Sequence, residues 1–160
     1  MKTLIATDGS SYATTAVTTA SQLFTRSNNK FEVAFITPEF SRPARLHATS
    51  PGLDKFFHAQ YEEEMKRQSD KVLKDAKRIL HGAGIQALGF TDTGSPADVL
   101  VRLTADYDAI VVGVQSKGER ASPGLGPVAS RIVEHASGIV LVGRRLLNEK
   151  NFRILIAADG

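Results

Sequence analysis

Apolar runs and amphipathic stretches alternate along this chain of 160 residues, and the alternation predicts strands separated by helices. Lys2 to Thr7 (KTLIAT) reads as an apolar strand, and Asp8-Gly9-Ser10-Ser11 then supplies turn and N-cap chemistry. A small-residue helix follows from Tyr12 to about Arg26, with Ala13, Ala16, Val17, Ala20, Leu23 and Phe24 at helical spacing. Asn28-Asn29 breaks it, and Phe31 to Thr37 is a second strand closed by Pro38. Residues 39 to 53 are loop-like, with Pro43, Pro51 and Gly52. A long amphipathic helix runs from Asp54 to about His81 and carries Phe57, Tyr61, Met65, Val72, Ala76, Ile79 and Leu80 on one face. Gly82 and Gly84 stop it. Ile85 to Thr91 is a third strand, and Ser95-Pro96 starts a helix whose buried face holds Val99, Leu100 and Leu103.

The last third of the pattern is the most informative. Ala109-Ile110-Val111-Val112 and Ile139-Val140-Leu141-Val142 are apolar without polar alternation, as expected of parallel strands covered on both faces. Between them lie a glycine-punctuated loop and a helix from Pro127 to Ala136. Strands alternating with helices predict an α/β fold on a parallel sheet, with its ligand crevice at the carboxyl ends of the strands where strand order reverses. A glycine-rich loop leading into a helix N-terminus suits phosphate, because the backbone can approach an anion closely and the first helical N–H groups are free to donate.

Composition narrows the class. Hydrophobic residues make up 42% and charged residues 23%, which suits a globular domain with a real core. There is no cysteine, so disulfides, thiolate metal sites and cysteine nucleophiles are excluded; the absence also fits a cytoplasmic location. The net charge of +3 is too small and scattered to argue for nucleic acid. No segment approaches the roughly 20 apolar residues that cross a bilayer. The four histidines show no metal spacing, and there is no GxSxG elbow or Walker sequence. Nothing in the sequence makes a positive case for catalysis.

From IATDGS at the first strand through GSPADVL, DAIVVGV and GPVASRIVEHASGIVLV, the chain resembles the universal stress protein family. The resemblance covers residues 1–145 and implies an adenine nucleotide alpha hydrolase-like fold. This is a five-stranded parallel sheet of order 3-2-1-4-5, with helices on both faces. The implied crevice lies between strands 1 and 4, with Asp8 and Gly113 facing each other across it. The family's loop signature, G-x2-G-x9-G-[ST], falls on Gly113, Ser116, Gly126 and Pro127 of this chain, so two positions match and two depart. The implied ligand is ATP or another adenine nucleotide, with Mg2+ left open.

Carried over position by position, the resemblance places Thr7 and Asp8 beside the adenosine, Ile36 against the adenine, and Gly113, Ser116, Gly126, Pro127 and Val128 around the phosphates. Each has a plainer reading. Asp8 also suits a helix cap, and Ile36 also suits the core. Ser116 adds a side chain where the family has glycine, and its hydroxyl can donate. Pro127 replaces a Ser or Thr and supplies neither hydroxyl nor N–H, although proline fits a first helical position well. Lys117 and Arg120 are candidate phosphate contacts or ordinary solvated cations.

Arg153 to Gly160 repeats Lys2 to Gly9, with Leu, Ile, Ala, Asp and Gly identical. The expectation is a linker over 146–152 and, over 153–160, the first strand of a second copy; an extra edge strand is the alternative. The functional expectation is a regulatory stress-response module that binds adenine nucleotide. Its rival is a domain that binds no nucleotide and works by pairing with itself or with a second universal stress domain, through the last strand at the sheet edge. A nucleotide hydrolase is the third class, resting on Asp8 alone.

Overall fold

The computed structural model describes residues 1–24, 29–41, 51–116, 118 and 124–144. The expected linker at 146–152, the expected strand at 153–160, and the candidate contacts Lys117 and Arg120 lie outside the described residues. Ten elements follow one another: β1 (Lys2–Ala6), α1 (Ser11–Leu23), β2 (Lys30–Thr37), α2 (Pro51–Gly82), β3 (Ala87–Thr93), α3 (Pro96–Leu103), a 3-10 turn (Thr104–Asp106), β4 (Ala109–Gly113), α4 (Pro127–His135) and β5 (Ile139–Gly143). The five strands form one sheet of order β3-β2-β1-β4-β5, and every neighbouring pair is parallel.

The two faces of the sheet are separate cores, and alternate residues of each strand feed them. Ile5, Val33 and Val111 point to the face covered by Ala16, Val17 and Ala20 of α1 and Leu73, Ala76 and Leu80 of α2. Leu4, Ala34 and Ile110 point to the other, against Leu100 of α3 and Ala129 and Ile132 of α4. The chain moves outward in one direction through β1, β2 and β3, then returns past β1 to β4 and continues to β5. With one crossover hand, reversing direction moves the connecting helices to the opposite face. The reversal at β1 therefore leaves its carboxyl end uncovered.

Four expectations need correction. β3 starts at Ala87, not Ile85. Ile85 instead completes the end of α2: its N–H and that of Ala83 both donate to the Leu80 carbonyl, at 3.0 Å, and Gly84 takes a φ of +77°. This glycine-terminated finish wants an apolar residue after the glycine, so Ile85 packs against the helix end rather than joining the strand. Second, β5 is covered on both faces only in part: Leu141 packs on the core under α1 and α2, and Val140 and Val142 pack on the core under α3 and α4. It is an edge strand, with Ile139 63% exposed and Val140, Leu141 and Val142 half-buried, whereas Ala109 to Val112 of β4 are fully buried. Third, α2 starts at Pro51, inside the stretch read as loop. Fourth, α1 ends at Leu23, which is exposed, and Ser21 takes a buried position instead.

Candidate functional site

A cleft of about 450 Å³ opens at the carboxyl ends of β1, β2 and β4, where strand order reverses. Its floor comes from the strand ends: Ala6 at the end of β1 with Thr7 and Asp8 just after it, Ala34, Phe35 and Ile36 on β2, and Val112 and Gly113 on β4. Gln115 and Ser116 continue it into the β4–α4 loop. Helices supply the walls, through Tyr61, Met65 and Gln68 of α2, Pro96 and Leu100 of α3, and Val128 of α4.

The turn leaving β1 is built by local hydrogen bonds. The Thr7 N–H donates to the Ala34 carbonyl at 3.0 Å and carries the β1–β2 ladder one step past the strand. The Thr7 hydroxyl accepts from the Gly9 N–H at 3.3 Å, and Asp8 Oδ1 accepts from the Ser10 N–H at 2.9 Å. Ser10 caps α1 by accepting from the Ala13 N–H at 3.1 Å. Gly9 takes a φ of +76°, and a Cβ there would come within 2.6 Å of Val72. Short polar side chains and one glycine thus turn the chain sharply enough to hold the Asp8 carboxylate at the cleft. The helix cap is Ser10, so Asp8 organises the turn before it.

Gly113 lines the cleft, and its missing side chain also serves the packing of α1. Its φ is not positive. A Cβ there would lie 2.8 Å from the Tyr12 carbonyl carbon and 2.9 Å from the Ala13 nitrogen. Gly143, its register partner on β5, would meet Ala16 Cα at 2.4 Å. The paired glycines let α1 lie directly on the sheet, so its first turn reaches the cleft.

Beyond Gly113, Val114 fastens both ends of the loop. Its N–H donates to the Gly143 carbonyl at 3.1 Å, and its carbonyl accepts from the Gly126 N–H at 2.8 Å. Gly126 is the N-cap of α4 and offers no capping side chain, and Pro127 occupies the first turn. The N–H groups of Val128 and Ala129 in that turn have no intrahelical acceptor. α4 has no acidic residue in its first turn, whereas α3 carries Asp98 there. Arg131 pairs with Asp98 at 2.7 Å and so links α4 to α3, while His135 is the basic residue in the last turn of α4. Of the two helix starts, α4 is the better disposed to an anion.

Of the residues expected at the site, Thr7, Asp8, Ile36, Gly113, Ser116 and Val128 line the cleft. Gly126 and Pro127 do not line it: Gly126 is buried behind the loop's hydrogen bond to Val114, and Pro127 faces outward. Sequence reasoning missed Pro38, Gln68 and Gln115, and it read Tyr61 and Met65 only as helix face. Spacing along α2 was the available signal, since Tyr61, Met65 and Gln68 share one stripe. Gln115 is only 4% exposed directly after an apolar strand. Among the described residues no group of three or more His, Asp or Glu side chains could hold a metal ion, and no helix is long and apolar enough to cross a membrane.

Comparison with known proteins places this architecture. The Staphylococcus saprophyticus protein SSP1056, named a universal stress protein, is 28% identical, over 98% of this chain and 90% of its own length. A universal stress protein solved in complex with cAMP superposes with a TM-score of 0.62 at 24% identity, covering 89% of this chain and 95% of that one. A universal stress family protein from Arabidopsis thaliana, solved with AMP bound, superposes with a TM-score of 0.59 at 21% identity, covering 94% and 95%. The sequence model of the universal stress protein family matches residues 1–144. The chain belongs to the universal stress protein family.

Proposed function

We propose that this chain is a regulatory module that binds an adenine nucleotide in the cleft and does not turn it over. The observation that carries the proposal is the chemical contrast between the cleft's two ends. Toward β2 the walls are apolar, with Ile36, Pro38, Tyr61 and Met65. Toward β4 they lead to Ser116 and the uncapped first turn of α4. A purine prefers the first end and a phosphate the second. The volume of about 450 Å³ lies within the range of small-molecule sites.

In this reading the base lies against Ile36. Asp8, an acceptor, takes a ribose hydroxyl, and the phosphate meets the Val128 and Ala129 N–H groups and the Ser116 hydroxyl. The AMP and cAMP complexes of the two similar proteins support an adenine nucleotide as the ligand class. Asp8 is the one carboxylate among the described residues that line the cleft, and its Oδ1 already holds the Ser10 N–H. That favours binding over hydrolysis, which needs a positioned water and, as a rule, bound Mg2+.

Calorimetric titration of the full chain with AMP, ATP and cAMP, with and without Mg2+, tests the proposal. It expects heat on binding without phosphate release. No heat at millimolar nucleotide overturns it, and release of phosphate by the pure protein replaces it with the hydrolase reading.

A further inference from the structure

The cleft does not end at α2. A second cavity of about 470 Å³ lies beyond it, between the first half of α2 and the carboxyl ends of β2 and β3. Pro38, Tyr61 and Met65 line both spaces. Tyr61 is fixed in this shared wall from two sides. Its hydroxyl donates to the Pro38 carbonyl at 2.5 Å, and its ring rests against Phe40 with centroids 5.3 Å apart. Phe40 is in turn braced edge-on by His58, at 5.1 Å. Burial raises the Tyr61 pKa above its ordinary value.

Resting on the nucleotide reading above, we propose that Tyr61 sets specificity at the base end of the cleft. Its ring forms a partition that admits an unmodified adenine and excludes purines bearing a bulky apolar group. Topology supports this placement. β2 and β4 flank β1 on opposite sides, so α2 stands at the end of the cleft away from the α4 helix start. A base directed away from the phosphate therefore meets Tyr61 and Met65. A substituent reaching past the base would enter the second cavity, where Phe40 and His58 offer ring surfaces.

The test titrates AMP, N6-benzyl-AMP and 8-benzylthio-AMP into the wild-type chain and into Tyr61→Ala, Tyr61→Phe and Met65→Ala. The expected result is that Tyr61→Ala binds at least one benzylated analogue roughly ten-fold or more tightly than the wild type does, while its AMP affinity changes less. Tyr61→Phe keeps the ring and should still exclude the analogues. Met65→Ala opens the same wall and stands in should Tyr61→Ala not fold. Wild-type binding of AMP with no gain for either analogue in the alanine variants overturns the partition and leaves the nucleotide reading standing. Equal opening by Tyr61→Phe also overturns it, because the ring would then exclude nothing. Absence of AMP binding to the wild type overturns the nucleotide reading, and this inference with it.

Discussion

Gly113 lines the cleft and is also a point of contact between two elements. Its place at the end of β4 marks it in the sequence as a close-approach glycine. The approaching group in the fold is the backbone of α1, 2.8 Å from where a Cβ would sit. Backbone cannot rotate aside as a side-chain tip can, so Gly113→Ala must push α1 off the sheet. The expected cost is about 1–3 kcal/mol, read as a lower urea midpoint. An unchanged midpoint would show that α1 moves freely.

At the opposite end of the sheet, the Tyr107 hydroxyl donates to the Glu32 carboxylate. Lys2 Nζ sits 4.0 Å from the Tyr107 ring centroid and 3.8 Å from Glu32. Burial, that hydrogen bond and the nearby charges of Glu32 and Asp106 raise the Tyr107 pKa well above its ordinary 10.0. An acid whose pKa is higher in the folded state than in the unfolded chain favours folding below the unfolded value. That stabilisation is lost as pH rises above about 10, where only the unfolded chain ionises. Wild type should therefore exceed Tyr107→Phe in stability at neutral pH, and the two should converge above about pH 10. A gap independent of pH would dismiss the linkage.

Among the elements, the helices and the central strands were legible because their periodicities are clean and their ends carry Ser-Pro, Gly or Asn signals. β3 was misplaced by two residues because Ile85 serves the end of α2, and an apolar residue looks alike in both roles. β5 packs on both faces, as its apolar run suggests, but only in part, because it ends the sheet as the strand order implied by the family resemblance expects. The start of α4 carries the functional prediction for an element. Pro127 removes one N–H from the first turn, and its side chain faces outward, so Pro127→Ala should tighten AMP and ATP by roughly ten-fold through the restored N–H, as expected for one charge-assisted hydrogen bond. Adenosine, which lacks phosphate, should bind the variant and the wild type alike. An equal gain for adenosine would place the effect away from the phosphate.

Over the whole molecule, one sheet margin stands out. Ile139 on the edge strand β5 is an exposed apolar side chain. An unpaired strand edge bearing apolar side chains is a surface for pairing. We propose that two copies associate through β5. Because Ile139 is 63% exposed, Ile139→Lys should barely alter the stability of one chain yet shift the sedimenting species to a monomer. A wild type that is monomeric at every concentration removes this reading.

What the amino-acid order decided by itself is the alternation of strand and helix, the two-faced burial of the central strands and the sharp polar turn after β1. These depend on neighbours a few residues apart, where side-chain spacing and backbone preference act directly. The tertiary structure alone decided which residues share the cleft. Asp8, Ile36, Tyr61 and Ser116 meet because parallel strands reverse order at β1 and because α2 leans over their ends. Tyr61 has the same local pattern whether it faces a core or a cavity. Only packing at long range, which local spacing does not encode, gave it a partner on Pro38 and a space on either side.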